Sequence, residues 1–382
     1  MVKSRQRYFA SFIIVILAIT IGSDGILHSG ELTGSSVSLM QTGKDSLPPY
    51  EIKDYIFPSG EITLAGRLFN PRSEVHCPVL IYVEGSDNDN TNTSPYVKAL
   101  AKVFTKEHIA LFSFNKRGYA GSEGTSTDDF DVRAADVVSA YKFLSVFDSI
   151  DRDNIGMYGI SQAGWIIPRA LKILKKIPFV ILVSPAGVPP LEQVTFYLQN
   201  QWRKTGMTEE DISEATNLHR VTAYYYKTGT KQDYRKAQLA VDKASKKAWF
   251  PLLNKIDYRV EIPDSGILPT PAQLATVNKR EPEEYAFYRS EQTWTEDPSM
   301  YQSIISPVLL IFGGKDELVP VERSMMIFQH SFAQNQNTDV TFHIFETSGH
   351  DIQPVGSPYL ADGYREYMAD WIHRHLITTG KR

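Results

Sequence analysis

Short apolar runs alternate along this chain with stretches in which apolar residues recur every three or four positions. Residues 50–57 and 62–69 alternate apolar with polar and flank Pro58-Ser59-Gly60, a turn signal, so they predict an antiparallel hairpin. Residues 78–84 form a continuous apolar run, the pattern of a strand buried on both faces of a parallel sheet. A polar loop over 85–94 leads into a helix starting near Pro95, where proline suits the first turn. Further buried strands are predicted over 109–114, 155–160, 179–183, 307–312 and 340–345. Helical spacing links Val132, Ala135, Val138, Ala140, Tyr141 and Leu144, and in a last helix from about Tyr359 it links Tyr364, Met368, Trp371 and His375. Strands alternating with helices predict an α/β fold, a mainly parallel sheet with helices on both faces.

The pattern changes over residues 189–300. Strand signals vanish there, and amphipathic helices are predicted over 191–203, 209–226 and 232–248. The segment is aromatic, with Tyr197, Trp202, Tyr224, Tyr225, Tyr226, Trp249 and Phe250. It reads as an inserted helical cap between two parts of one core, 50–188 and 301–382. No internal repeat is visible.

The N-terminus carries Lys3, Arg5 and Arg7, an apolar run over 9–21, and then Gly-Ser-Asp-Gly. A basic start, a short apolar region and a small-residue exit predict an export signal over 1–22, and hence a periplasmic or extracellular protein. Thr20 and Gly22 make a poor cleavage pair, so an uncleaved segment tethering the protein to a membrane stays open. No cysteine follows the run, which excludes lipid attachment of the bacterial lipoprotein type. Residues 23–49, rich in Ser, Gly and Thr, read as a flexible tether.

A formal net charge of -4 with no basic stripe argues against a nucleic-acid partner and for a small molecule. Cys77 is the single cysteine, so no internal disulfide forms, and it reads as a small apolar filler at a strand start.

The chemistry centres on Gly159-Ile160-Ser161-Gln162-Ala163, where a strand turns sharply into a helix. A serine at such a corner is held in a strained conformation with small neighbours two residues away, the arrangement of a nucleophile elbow. Its hydroxyl needs a histidine as base and a carboxylate to orient that base. The strand over 307–312 ends in Gly-Gly-Lys-Asp-Glu, which offers Asp316, and the strand over 340–345 ends in Glu-Thr-Ser-Gly-His, which offers His350. Glu317, Glu346 and Asp351 are rival acids. An oxyanion needs two backbone N–H donors: Gln162, directly after the serine, and Ser86, in the loop after the first buried strand. His343 lies inside a strand, and His373 and His375 point to different sides of a helix. No histidine pair has zinc-ligand spacing, so no metal is expected.

Val-Glu-Gly-Ser-Asp at 83–87, Asn-Lys-Arg-Gly-Tyr-Ala-Gly-Ser-Glu-Gly at 115–124, Gly-Ile-Ser-Gln-Ala-Gly-Trp at 159–165, Gly-Gly-Lys-Asp at 313–316 and Ser-Gly-His at 348–350 together resemble the α/β-hydrolase superfamily. The chain is most similar there to exported bacterial serine esterases with a helical cap, of the dienelactone-hydrolase and prolyl-oligopeptidase-like branch. The resemblance implies an α/β-hydrolase fold, hydrolysis of an acyl bond through an acyl-enzyme on Ser161, and no cofactor; it leaves the substrate open. A carboxylic ester of a small or medium acyl group is the leading expectation. Thioester hydrolysis, acyl transfer and aminopeptidase activity are alternatives on the same residues, and a non-catalytic ligand-binding protein is the alternative of another class.

Two departures from the family pattern stand out. Relatives carry His-Gly where this chain has Glu84-Gly85, which puts a carboxylate by the oxyanion loop unless it pairs with Lys116 or Arg117. Asn115 replaces an aspartate, removing a charge beside Arg117, itself read as a clamp on its loop rather than a substrate ligand. The rings of residues 189–300 either pack that segment's own core or face Ser161 and line an acyl pocket.

Overall fold

The computed structural model describes residues 48–72, 76–86, 90–256, 260–295 and 297–376. The predicted export signal and the tether before Pro48 lie outside these residues.

The hairpin forms as β1 (Tyr50–Ser59) and β2 (Ile62–Pro71), paired from Tyr50↔Pro71 to Ser59↔Ile62. Pro58 and Ser59 belong to β1 rather than to the turn. The chain reverses at Gly60, whose φ of +62° suits glycine, and proline is tolerated because β1 is an edge strand. There follow β3 (Cys77–Val83), α1 (Pro95–Phe104), β4 (Ala110–Phe114), α2 (Phe130–Leu144), β5 (Ile150–Ile160), α3 (Ala163–Leu174) and β6 (Val180–Val183). The helical insertion comprises α4 (Pro190–Lys204), α5 (Glu209–Thr228), α6 (Lys231–Ala244), α7 (Pro271–Arg280) and two single turns, α8 (Ala286–Arg289) and α9 (Pro298–Tyr301). The core resumes with β7 (Val308–Gly313), α10 (Val321–Gln334), β8 (Val340–Phe345) and α11 (Tyr364–His375). The last helix begins later than its periodicity suggests because Gly363, at φ +73°, breaks the turn before it.

Among the described residues the strands make one eight-stranded sheet in the order β1-β2-β4-β3-β5-β6-β7-β8. β1, β2 and β4 pair antiparallel, and every pairing from β4 through β8 is parallel. The buried strands alternate as pleated strands must. Val79, Ile81 and Val83 of β3 face α2, α3 and α10, whereas Leu80 and Tyr82 face α1 and α11. After β3 the chain crosses toward β4, and after β5 it crosses the other way toward β6. The loops leaving β3 and β5 therefore part company between adjacent strands, opening a crevice at the carboxyl ends where such sheets place ligands.

Behind that crevice, Tyr158 of β5, Tyr96 of α1 and Tyr364 of α11 bring three hydroxyls together. The oxygens stand 2.6, 2.9 and 2.8 Å apart, so every pair is hydrogen-bonded. Burial pushes the pKa of all three above the ordinary tyrosine value, which keeps them neutral.

The insertion has its own apolar cluster, in which Trp202, Tyr225, Tyr226, Trp249 and Phe250 are buried. Tyr224 is half exposed, edge-on to Trp294. α5 opens with a capping box between Thr208 and Asp211 and closes on Gly229 in the left-handed conformation. The insertion docks by apolar packing of Met300 and Tyr301 in the core beside Phe328, and by polar contacts. Gln193 and Asn200 of α4 donate to the carbonyls of Leu318 and Glu317 at 2.7 and 2.9 Å, and Gln292 bonds Phe130 N and Asp131 on α2.

Candidate functional site

Ser161 follows the last residue of β5 and holds φ at +55°. For a residue with a Cβ this conformation costs about 1–3 kcal/mol, so it persists only where the surroundings impose it. Its N–H donates to Val183 O at 2.9 Å on β6, while its carbonyl accepts from Gly164 N at 2.9 Å in the first turn of α3. A Cβ on Gly159 would stand 2.5 Å from Ile167 Cδ1 and 2.7 Å from Ala163 Cβ, so strand and helix pack too closely here for any side chain. Ala163 fills the space that Gly159 leaves.

The acid and base loops are tied to each other and to the same end of the sheet. Gly314 N donates to Phe345 O at 2.9 Å and Lys315 N to Ser348 O at 2.8 Å. Asp316 and His350 are brought together directly, with Nδ1 of the imidazole 2.8 Å from Oδ2. The other carboxylate oxygen accepts the N–H groups of Leu318 and Val319 at 2.7 and 2.9 Å, which fixes its orientation. The rival acids are placed otherwise. Glu317 is exposed and pairs with Lys204, Glu346 is exposed, and Asp351 has its carboxyl pushed up by desolvation.

Ser184, missed in the sequence, connects the His350 loop to the strand beside Ser161. Its hydroxyl donates to His350 O at 2.6 Å and its N–H to Ile311 O at 2.7 Å, directly after Val183 has received Ser161. Ser184 and Ile352 are, like Ser161, non-glycine residues at positive φ. Among the described residues Ser161 Oγ makes no hydrogen bond of its own, whereas Asp316 and His350 are already bonded to each other.

Gly85 brings the loop after β3 against the elbow. A Cβ there would stand 3.2 Å from both Ser161 Cβ and Ile160 O. Ser86 and Gln162 are buried, and neither backbone N–H finds an acceptor among the described residues. The loop is fixed from behind by Arg133 of α2, which donates to Glu84 O at 2.8 Å, to Gly85 O at 3.1 Å and to the Gln162 side-chain oxygen. Arg133 lies on a buried face wider than the expected stripe. Val138, Ala140 and Leu144 are buried as expected, and Phe130, Arg133, Ala134, Asp136 and Val137 are buried with them, whereas Ala135 is exposed. Two charged residues on the inner face mislead a reading by hydrophobicity. A charge at 133, three and four residues from Phe130 and Val137, was the signal.

The two departures acquire physical reasons. Lys116 Nζ lies 3.9 Å from the buried Glu84 carboxylate. Arg117 instead forms a two-pronged bond to Asp136, at 2.7 and 2.8 Å, and Asp136 also accepts from Ser59. The charge beside Arg117 is therefore supplied by α2. Asn115 accepts from Asn92 N at 3.1 Å and donates to Ala120 O at 2.8 Å, a combination an ionised aspartate could not make. Glu84, Lys116, Arg117, Arg133 and Asp136 share a cavity of about 20 Å³. That space is too small for an acyl group, so these charges serve the loops. Among the described residues no cluster of His, Cys, Asp and Glu could hold a metal ion.

Residues 78–357 match the family of the α/β hydrolase fold. This chain belongs to the α/β-hydrolase family. The sheet order, the strained serine, and the Asp316 and His350 loops after β7 and β8 agree with that membership. Among curated proteins, this α/β-hydrolase is 29% identical over 126 residues to a thiohydrolase of Aspergillus aculeatus, covering 32% of this chain and 38% of that protein. It is 27% identical over 152 residues to a polyketide transferase of Penicillium crustosum, covering 36% and 45% respectively. Both matches span less than half of the relative's length. Among solved structures, an esterase of Pyrococcus furiosus aligns over 86% of this chain and 92% of its own, with a TM-score of 0.51 and 17% identity. That likeness is one of fold.

Proposed function

We propose that this α/β-hydrolase cleaves carboxylic esters of small or medium acyl groups through an acyl-enzyme on Ser161. The observation that carries the reading is the 2.8 Å bond from His350 to Asp316, on loops that Ser184 ties to the strand end beside Ser161. With Nδ1 engaged by the carboxylate, the imidazole works through Nε2. It takes the proton of Ser161 Oγ as that oxygen attacks the substrate carbonyl, then returns it to the departing alcohol. Ser86 and Gln162 N–H receive the oxyanion, each worth about 3 kcal/mol in the transition state. Water, deprotonated by the same imidazole, releases the acid and restores the serine. Hydrogen bonds of this kind are often long in the free enzyme and tighten with substrate, which accommodates a serine hydroxyl without a partner at rest.

Protein lacking residues 1–45 should release p-nitrophenol from short acyl esters, and Ser161→Ala should lower kcat by about 10⁴-fold or more. Equal rates for the two proteins remove Ser161 from the mechanism. Similarity to a thiohydrolase and a polyketide transferase favours a second reading, in which the acyl-enzyme is formed from a thioester or discharged to another acceptor. Rates on matched ester, thioester and dipeptide amide substrates rank the three. A non-catalytic receptor is the reading a carboxylate at the oxyanion would favour, and Lys116 beside Glu84 counts against it. A stoichiometric fluorophosphonate adduct on Ser161 rejects that reading. Export, with or without an anchor, belongs to the same proposal; an intact N-terminus on cytoplasmic protein would reject it.

A further inference from the structure

Arg133 touches both sides of the crevice. It is 7% exposed, and its two terminal nitrogens reach the Glu84 and Gly85 carbonyls on one side and the Gln162 side chain on the other. A peptide group is planar and trans, so the carbonyl of one residue and the N–H of the next point in opposite directions. With Gly85 O held by the guanidinium, Ser86 N–H is turned away from Arg133. A Cβ on Gly85 would stand 3.2 Å from Ser161 Cβ, so the loop passes close to the serine at this residue. Gln162 N–H, one of the unsatisfied donors at the start of α3, belongs to the residue whose side chain the same guanidinium holds.

We propose that Arg133 is the positioning residue of the oxyanion site, aiming the Ser86 and Gln162 N–H groups at one point beside Ser161. The proposal rests on the acyl-transfer reading above. Three acceptors in different directions call for the planar fork of arginine. Lysine keeps the charge but presents its donors from a single atom. Arg133 acts through other groups and touches no reacting atom.

The test compares kcat and KM for ester turnover, and the rate of fluorophosphonate labelling, in wild type, Arg133→Lys, Arg133→Ala and Gln162→Leu. Misaimed donors lower kcat and labelling together. Arg133→Lys is expected to lose about a hundredfold in kcat, the scale of one oxyanion donor, with KM little changed. Methylguanidinium is expected to restore part of the activity of Arg133→Ala and none to Arg133→Lys. Wild-type kcat in Arg133→Lys, or a loss confined to KM, overturns the proposal. If Arg133→Lys does not fold, Gln162→Leu decides: about a tenfold fall in kcat with an unchanged melting temperature supports the proposal, and an unchanged kcat overturns it. A wild type that neither turns over esters nor labels at Ser161 defeats the functional reading and this role with it. An active, labelled wild type with unaffected variants removes this role alone.

Discussion

The carboxyl edge of the sheet and the helical insertion are built on different terms. At the edge, Ser161, Ser184 and Ile352 hold left-handed backbone, and Arg133, Asp136, Glu84 and Asp316 are buried polar groups tied to particular neighbours. The insertion is mostly regular helix with one left-handed residue, Tyr285; it is capped at α5 and α6 by threonines and filled by aromatic rings. Strain and buried charge are costly and persist where other contacts enforce them. Aromatic packing tolerates exchange so long as volume is kept. The edge therefore specifies residue identity, and the insertion specifies little beyond shape, which is why the reaction type is easier to read than the substrate.

Three measurements would break or sharpen this contrast. The largest effect is expected from Asp316→Asn. The bonds from Leu318 and Val319 N–H can persist, but an amide facing Nδ1 favours the wrong imidazole tautomer, and kcat should fall about 10⁴-fold with the melting temperature nearly unchanged. A large loss of stability instead would make Asp316 a structural anchor. Next comes Trp202→Ala in the insertion, where a fully buried ring is removed. Unfolding free energy should drop by about 3–5 kcal/mol in a urea titration, while kcat on the shortest ester changes far less. A parallel collapse of kcat would show that the two regions share one foundation.

The smallest effect concerns His219 on α5. It is buried beside Tyr288, and desolvation together with Arg220 lowers its pKa from 6.5 to about 4. The folded protein thus resists protonation where the unfolded chain accepts it. Stability from this group is present above about pH 6.5 and is lost as pH falls toward 4, by on the order of 3 kcal/mol. Urea midpoints across that range should slope less steeply for His219→Leu than for wild type; equal slopes would place the acid sensitivity elsewhere.

Much of the sheet was legible because both-face burial leaves continuous apolar runs, as in β3, β5 and β7, and because Pro95 and the glycine beside Ser161 have narrow physical meanings. Asp316 and His350 could be singled out as candidates because each follows a strand in a short polar turn. The partners of Arg133 and Ser184 were illegible for a common reason: each bonds to distant backbone, at separations of 48 and 166 residues, and the charge among apolar positions at 133 marks burial without naming what it holds. The pairing of Arg117 with Asp136 was hidden likewise, since a charged residue at 136 does not register in a reading of apolar positions.

The tyrosine triangle behind the crevice has a consequence for how the core is wired. In a closed loop of three hydroxyls every oxygen gives one hydrogen and receives one, so the circuit has two senses, clockwise and anticlockwise, and reversing it requires all three to turn together. Removing any single hydroxyl breaks the circulation for the other two. The strand that ends at Ser161, the first helix and the last one are thus coupled through a collective variable that belongs to none of the three residues individually.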